Sequence, residues 1–370
     1  MAHTRVRHLI ETLQKRRKLW PIVGVLGARQ VGKSTLLKDQ LTKHDNATYL
    51  ESLTEASKFV VIDEVQKVPD LFDALKANVD ARRRPGQFII SGSTEFSEKS
   101  GIRESLTGRI GLLRLFPLTL AEANRRPLCA PFVTETFKPD SSVDEVERWL
   151  NYGGMPSHCF LRSQDEREAS WNAWIDTVCF RDLAQFKKLR LDGDLAKDIL
   201  EVIPSIERPS ASHITERLHV DTRKIKRHIE ALAGLFLLQK IRPHPAGVGK
   251  DEYILWDTGF SHIAGASLLT RLRTLCVNEC LAQFEYSSKG LPKLYFFQSS
   301  KGTRCDLIVE QRGHTAAFIL SDQATLSPYI SRSVGSIQKH IPKASVYIIA
   351  PVHETYKEYG AVIVPWTAIG

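Results

Sequence analysis

No apolar run in this chain approaches the ~18 residues that a membrane-crossing helix needs. The six cysteines stand apart at 129, 159, 179, 276, 280 and 305, and none forms a C-x-x-C pair. Cys276 and Cys280 fall four apart on an expected helix, where small buried thiols are the simpler reading. This cysteine usage suits a reducing cytoplasm. Met1 to Trp20 is basic but has no apolar h-region, so it is not read as a secretory signal. Leu9, Ile10 and Leu13 in that stretch read instead as an amphipathic helix against a core.

What is present is ordinary for a globular protein. Hydrophobic residues make up 42% and charged residues 25%, and 370 residues predict two or three domains rather than one core. The net charge of +9 points to an anionic partner such as nucleic acid, although a basic balance also aids solubility.

The most informative stretch is Gly27, Ala28, Arg29, Gln30, Val31, Gly32, Lys33, Ser34 and Thr35, which fits G-x-x-x-x-G-K-[ST]. Ile22 to Leu26 before it reads as a buried strand and Ser34 to Lys43 after it as a helix. That context makes it a phosphate-binding loop of a nucleotide hydrolase. Glycines let the loop wrap phosphates, and N–H groups and the helix N-terminus face the negative charge. Lys33 would reach the β/γ-phosphates and the Ser34 hydroxyl would bind Mg²⁺. Phe59 to Ile62, then Asp63 and Glu64, reads as a central parallel strand delivering two acids to its C-terminal edge. Asp63 would hold Mg²⁺ through its water shell, and Glu64 would orient and deprotonate the attacking water. Gln87 to Thr94 reads as a further strand, with Ser93 the candidate that senses the γ-phosphate and Thr94 beside it. A Ser-Gly-Ser run also makes an ordinary turn.

Together these words resemble a known family. They are the phosphate loop, Asp63-Glu64-Val65-Gln66 with Pro69, Ser91-Gly92-Ser93, and Leu106-Thr107-Gly108-Arg109 followed by Pro117-Leu118. The chain resembles the AAA-type ATPases that carry a DUF4143 C-terminal region. Asn151 to Pro156 fits that family's Gly-Gly-aromatic-Pro signature, with Met155 in the aromatic place, and Arg181-Asp182 fits its Arg-Asp pair. Only a short segment, Leu50 to Lys58, separates the second strand from the acidic strand, where the family usually has a longer insert. The resemblance implies hydrolysis at subunit interfaces of a homo-oligomer such as a hexamer. An arginine from the neighbour would steady the transferring phosphoryl group. Arg109 is the candidate and Arg103 the second; a surface arginine or local salt bridge is the alternative for each.

Leu195 to Ile203, Ile214 to Leu218 and Thr222 to Ala233 read as three helices, and Leu237 to Ile241 and Glu252 to Trp256 as a hairpin. That order is a winged helix-turn-helix. Ile225, Ile229 and Leu232 face a core at helical spacing, which leaves Arg223, Lys226 and Arg227 on the opposite side. Those three would contact DNA phosphates in a salt-sensitive way. Winged helices also join subunits, so both roles stay open. Beyond Leu268 the pattern is α/β. In the resembled family this looks like a restriction-nuclease core, which needs a carboxylate on the second strand and Glu-x-Lys on the third. Glu279 and Asp306 match the first two acidic positions, but Ile319, Leu320 and Ser321 stand where Glu-x-Lys should be. An active nuclease is therefore not expected.

The expected architecture is α/β. A P-loop AAA-type ATPase domain occupies 1–130 and a helical lid 131–194. A winged helix-turn-helix (195–262) and a degenerate restriction-nuclease-like domain (263–370) follow. The expected function is Mg²⁺-dependent ATP binding and hydrolysis coupled to DNA binding or remodelling. The alternative is an ATP-switched sensor or scaffold that holds a protein partner.

Overall fold

The computed structural model describes residues 5–41, 48–49, 60–68, 70–95, 106–129, 141–186 and 190–370. The N-terminal part is built on a five-stranded parallel sheet. Its strands are β1 (Ile22–Leu26), β2 (Thr48–Tyr49), β3 (Val60–Ile62), β4 (Phe88–Gly92) and β5 (Ile110–Arg114), in the order β2-β3-β4-β1-β5. All five residues of β1 and of β4 are buried, as both-face coverage of a parallel sheet requires. The crossovers matter for function. β4 lies between β1 and β3, so the phosphate loop, the tip of β4 and the acids after β3 share one edge.

Helix α1 (Leu9–Arg17) buries Leu9 and Leu13, as their spacing predicts, while Ile10 is half-buried. A helix α2 starts at Lys33 and continues past Thr35 as a π-type turn, Leu36–Leu41. Helix α3 (Leu71–Ala81) covers the sheet with Phe72, Leu75 and Val79. Three helices then begin at reciprocal Ser/Thr-x-x-Glu caps. They are α4 (Leu120–Ala123) at Thr119 and Glu122, α5 (Val143–Tyr152) at Ser142 and Glu145, and α6 (Gln164–Asp176) at Ser163 and Glu166. A π-type turn, Thr177–Asp182, extends α6.

The next three helices are α7 (Gly193–Val202), α8 (Ala211–Leu218) and α9 (Thr222–Gly234). They lead into the antiparallel hairpin β6 (Leu238–Pro243) and β7 (Glu252–Leu255). After α10 (Thr258–Ile263) comes the long α11 (Leu268–Tyr286), then β8 (Lys293–Gln298), β9 (Arg304–Gln311) and β10 (His314–Leu320). Helix α12 (Pro328–His340), β11 (Ala344–Ala350), β12 (Tyr356–Glu358) and β13 (Ala361–Pro365) close the chain.

The hairpin does not stand apart from this last unit. Arg242 and Pro243 of β6 pair in parallel with Tyr295 and Phe296 of β8. One eight-stranded sheet, β12-β13-β11-β10-β9-β8-β6-β7, therefore runs across the expected boundary at 262/263. Helix α11 also joins the two halves. Glu285 accepts from Arg114 N at 2.7 Å, and the Tyr286 hydroxyl accepts from Phe116 N at 3.0 Å. A continuous apolar core extends from Leu9 to Ile369, and a smaller second core lies between the sheet and α12.

Glu279 has a role different from the one its position in a nuclease core would imply. Its carboxyl accepts from Leu120 N at 2.7 Å, deep in the seam between α11 and α4, and burial pushes it up to about 8. Asp306 accepts from Arg208 at 2.8 Å and from Leu320 N at 2.8 Å, so both its oxygens are spent on structure. Arg208 and Arg273 share the buried Glu252 of the hairpin, at 3.4 and 2.7 Å. These ions pin the hairpin to β9.

Candidate nucleotide site

The phosphate loop leaves β1 and turns on two glycines with different reasons to be there. A Cβ on Gly27 would lie 2.4 Å from the Leu115 carbonyl oxygen, so only glycine fits. Gly32 has φ +101°, a left-handed conformation that glycine adopts without strain. Lys33 is 4% exposed and its Nζ donates to the carbonyls of Gly27 (3.0 Å) and Ala28 (2.9 Å). Burial holds this ammonium down to about 8, opposed by the carboxylates of Glu64 and Asp63. Ser34 and Thr35 are exposed at the start of α2, Ala28 and Val31 are buried, and Gln30 is exposed.

Opposite the loop, the Ser91 hydroxyl donates to Asp63 Oδ1. Glu64 has φ 53°, unusual for a residue with a side chain. Its N–H donates to Asp63 Oδ1 (3.1 Å) and Ser91 Oγ (3.2 Å), which hold that turn in place. Ser93, 2% exposed, donates to Glu64 Oε2 at 3.3 Å, and Thr94 beside it is buried. Gln66 donates to the same Glu64 oxygen at 2.7 Å and to Ser93 Oγ at 3.0 Å. Lys33, Ser34, Asp63, Glu64 and Ser93 thus gather at one sheet edge. The cradle fits a triphosphate with its metal: a glycine turn, a buried cation, an exposed hydroxyl and two acids.

Distant segments close over this loop. Arg29 pairs with the buried Asp182 at 3.2 Å, and the Trp174 indole donates to the Arg29 carbonyl at 3.3 Å. Arg181 is largely exposed and reaches Asp182 at 3.5 Å. The Gly-Gly-Met-Pro turn is clamped by Asp257, whose Oδ2 accepts from Gly154 N (2.9 Å) and Met155 N (3.1 Å). Pro156 lies against Gly32, 3.8 Å from the place a Cβ would occupy there. Beneath the loop, the buried Arg7 donates to the Val31 carbonyl at 2.8 Å and pairs with Glu122 at 3.2 Å. It also reaches the Tyr286 hydroxyl at 3.3 Å. Sequence reasoning missed Arg7, one basic residue among several near the N-terminus; it named Gln66 among the words of the family resemblance but gave it no role.

Arg109 stands at the other end of the sheet. Ile22 and Ile110 are in register in parallel strands, and Ile22 N donates to the Arg109 carbonyl. Five residues of β1 at ~3.3 Å each put Arg109 about 16 Å from the phosphate loop of its own chain. Its guanidinium grips Asp80 through two bonds of 2.7 and 2.8 Å. Arg103 and the segment Leu50–Lys58 lie outside the described residues. Arg223, Lys226 and Arg227 are exposed on α9, while Ile225, Ile229 and Leu232 are buried. The C-terminal end of α9 meets the nucleotide edge, where Glu95 N donates to the Gly234 carbonyl at 2.7 Å.

Residues 39–124 match a family described as an AAA domain. With the strand order and the loop, this supports a P-loop ATPase fold. The matched span begins after Lys33, so the loop itself rests on its own sequence and geometry. Residues 143–264 match a domain of unknown function, DUF8612, and not the DUF4143 region that the sequence resembles. Two relatives are the uncharacterised proteins Mb2031c of Mycobacterium bovis and Rv2008c of Mycobacterium tuberculosis. Each is 26% identical over 358 residues, spanning 90% of this chain and 76% of its own length. Among solved structures, the Walker-type ATPase PABY2304 of Pyrococcus abyssi is similar at 14% identity and TM-score 0.44, over 71% of this chain and 99% of its own. Protein VC1899 of Vibrio cholerae is similar at 10% identity and TM-score 0.23, over 94% and 95%. At these scores neither likeness bears on the chemistry of the site. Among the described residues, no helix is long and apolar enough to cross a membrane.

Proposed function

We propose that this chain binds Mg²⁺–ATP between the phosphate loop and β3 and hydrolyses it. The observation that carries this is the meeting of Lys33, Asp63 and Glu64 at the carboxyl edge of one parallel sheet, with the tip of β4 between them. Backbone N–H groups from Gly27 to Thr35 and the Lys33 ammonium hold the phosphates. Ser34, and Asp63 through the water shell, would hold the metal, which would supply charge neutralisation at the phosphoryl oxygens. Glu64 takes the proton from the attacking water, and Ser93 reports the γ-phosphate. Arg109 is too far from its own loop to serve it; to act in a homo-oligomer on the neighbour's ATP it would have to exchange its pair with Asp80 for the phosphate.

We further propose that α7 to α9 and the β6–β7 hairpin form a winged helix-turn-helix, and that turnover is coupled to DNA held on its basic face. The contact between Glu95 and Gly234 supports this coupling, because it joins the third helix to the β4 tip. The test is the ATPase rate of wild type, Lys33→Ala and Glu64→Gln, with and without single-stranded, duplex and branched DNA. Lys33→Ala should lose ATP binding. Glu64→Gln should keep ATP and lose ~10²-fold or more in turnover. DNA-indifferent turnover would move the function to an ATP-switched scaffold for a protein partner. For Arg109, mixing Arg109→Ala with Glu64→Gln protein should restore part of the activity, because some mixed interfaces are intact. No rescue in assembled mixtures would remove the trans role.

A further inference from the structure

We infer that Gln66 is the positioning residue for Glu64: it clamps one carboxylate oxygen so that the other is presented to the attacking water. This rests on Glu64 being the base. The geometry has three parts. First, Gln66 Nε2 donates to Glu64 Oε2 (2.7 Å) and to Ser93 Oγ (3.0 Å), bridging the acid and the sensor with one amide. Second, Ser93 Oγ donates to that same Oε2 at 3.3 Å. Both donors converge on Oε2, and none of these bonds engages Oε1. Third, the amide can face only one way. A carboxylate accepts and does not donate, so turning the amide over would set oxygen against oxygen. The present orientation persists even though Gln66 Oε1 is buried with no hydrogen-bond partner. The two bonds made by Nε2 therefore decide the rotamer.

The backbone points to the same conclusion. Glu64 adopts φ 53° and ψ 44°, a left-handed conformation uncommon for a residue with a side chain, and strain of this kind collects at working sites. The Ser91 and Asp63 bonds to its N–H fix the main chain, and Gln66 fixes the carboxylate at the far end. In the reaction, water gives a proton to Glu64 as its oxygen bonds to the γ-phosphorus. The bridging P–O bond breaks with its electron pair going to ADP. A carboxylate free to rotate reaches the water less often, and a misplacement of ~1 Å costs up to about 10²-fold. Ser93 alone cannot replace the clamp, since Gln66 also orients its hydroxyl. A γ-phosphate that draws the Ser93 hydroxyl away would leave Gln66 as the remaining donor to Glu64.

The test is steady-state ATPase kinetics and ATP binding of full-length Gln66→Leu, Glu64→Gln and the double variant. Gln66→Leu should lower kcat between about 10- and 10²-fold and leave the ATP Kd within ~2-fold. Added to Glu64→Gln, it should lower the residual rate no further, because there is no longer a base to position. Gln66→Glu, which sets a second carboxylate against the first, should be at least as slow as Gln66→Leu. Thermal melts confirm that each variant is folded; should Gln66→Leu melt early, Gln66→Met keeps the side-chain length and carries the same expectation. An unchanged kcat in a folded Gln66 variant overturns the inference, as does a further loss in the double variant. Full turnover by Glu64→Gln overturns instead the assignment of the base, whatever Gln66 does.

Discussion

Arg29 in the phosphate loop is ion-paired at 3.2 Å to Asp182, a carboxylate buried 153 residues later in the chain. Asp182 also acts on Lys33, where its charge favours the ammonium. An acid held beside the phosphate loop does two opposing things. It ties the helical segment from α6 to the ATPase sheet, and it sets a negative charge where phosphates must come. Asp182→Ala should therefore tighten ATP binding, by freeing Arg29 and removing repulsion. It should also lower stability by about 1–2 kcal/mol, less than for a fully buried pair because Arg29 keeps some contact with water. Calorimetric titration with Mg²⁺–ATP and thermal melts measure both. Weaker binding in a folded Asp182→Ala protein would show that the pair supports the loop rather than opposing the ligand.

Lys33 gives a pH dependence with a definite sign. Burial lowers it to about 8, so near pH 9 most of the free protein carries a neutral amine here. A bound triphosphate favours the ammonium, so binding takes up a proton wherever the amine starts neutral. Affinity should fall as pH rises through about 8, where the free amine loses its proton. Proton uptake, measured by calorimetry in buffers of different ionisation enthalpy, should be clearly larger at pH 9 than at pH 7. Equal uptake at both pH values would show that Lys33 is already charged in the free loop.

Glu279 supplies a stability test. Its carboxyl is raised by burial to about 8 from an ordinary value of 4.5, so the folded chain keeps a proton that the unfolded chain releases. Stability from this group is therefore intact below pH 4.5 and declines as pH rises toward 8. Glu279→Gln keeps the acceptor for Leu120 N without the acid, so its melting temperature should gain on wild type between pH 5 and pH 8. The difference in unfolding free energy should reach on the order of a few kcal/mol at pH 8. A difference that does not change with pH would remove the buried acid as its source.

The sequence shows most of the phosphate loop and the acids after β3, because glycine positions, a buried run and paired carboxylates are local patterns. Helix α9 is legible for the same reason: Ile225, Ile229 and Leu232 sit at helical spacing and are buried. What closes the site is not local. Arg7 to Val31, Asp182 to Arg29 and Asp257 to Gly154 link segments 24, 153 and 103 residues apart. Nothing in the spacing of such residues marks the partner. Glu279 shows the limit from the other side: an acid on a helix looks alike whether it faces a metal or caps Leu120. The pairing of Arg242 and Pro243 with Tyr295 and Phe296 is likewise a choice between strand edges, made by packing and by the ions around Glu252.

The exposed face of α9 carries the last prediction. Arg223, Lys226 and Arg227 point to solvent, and the apolar residues that hold the helix lie on its other side. If DNA is held there, replacing all three with alanine should weaken binding across sequences alike, because phosphate contacts carry no base code. Each lost contact should lower the slope of log affinity against log salt by about one, so the slope should flatten by up to about three. Melting temperature should change little, since the buried face is untouched. ATP turnover without DNA should survive, because Lys33 and Glu64 keep all their described contacts. Stimulation by DNA should fall with binding, as expected if α9 passes its state to the β4 tip through Gly234 and Glu95. A triple variant that binds DNA with unchanged affinity and salt slope would place the contact elsewhere on the chain. A wild type that binds no DNA even at low salt would assign this face to a protein partner, and its three cations would then be sought by an acidic surface.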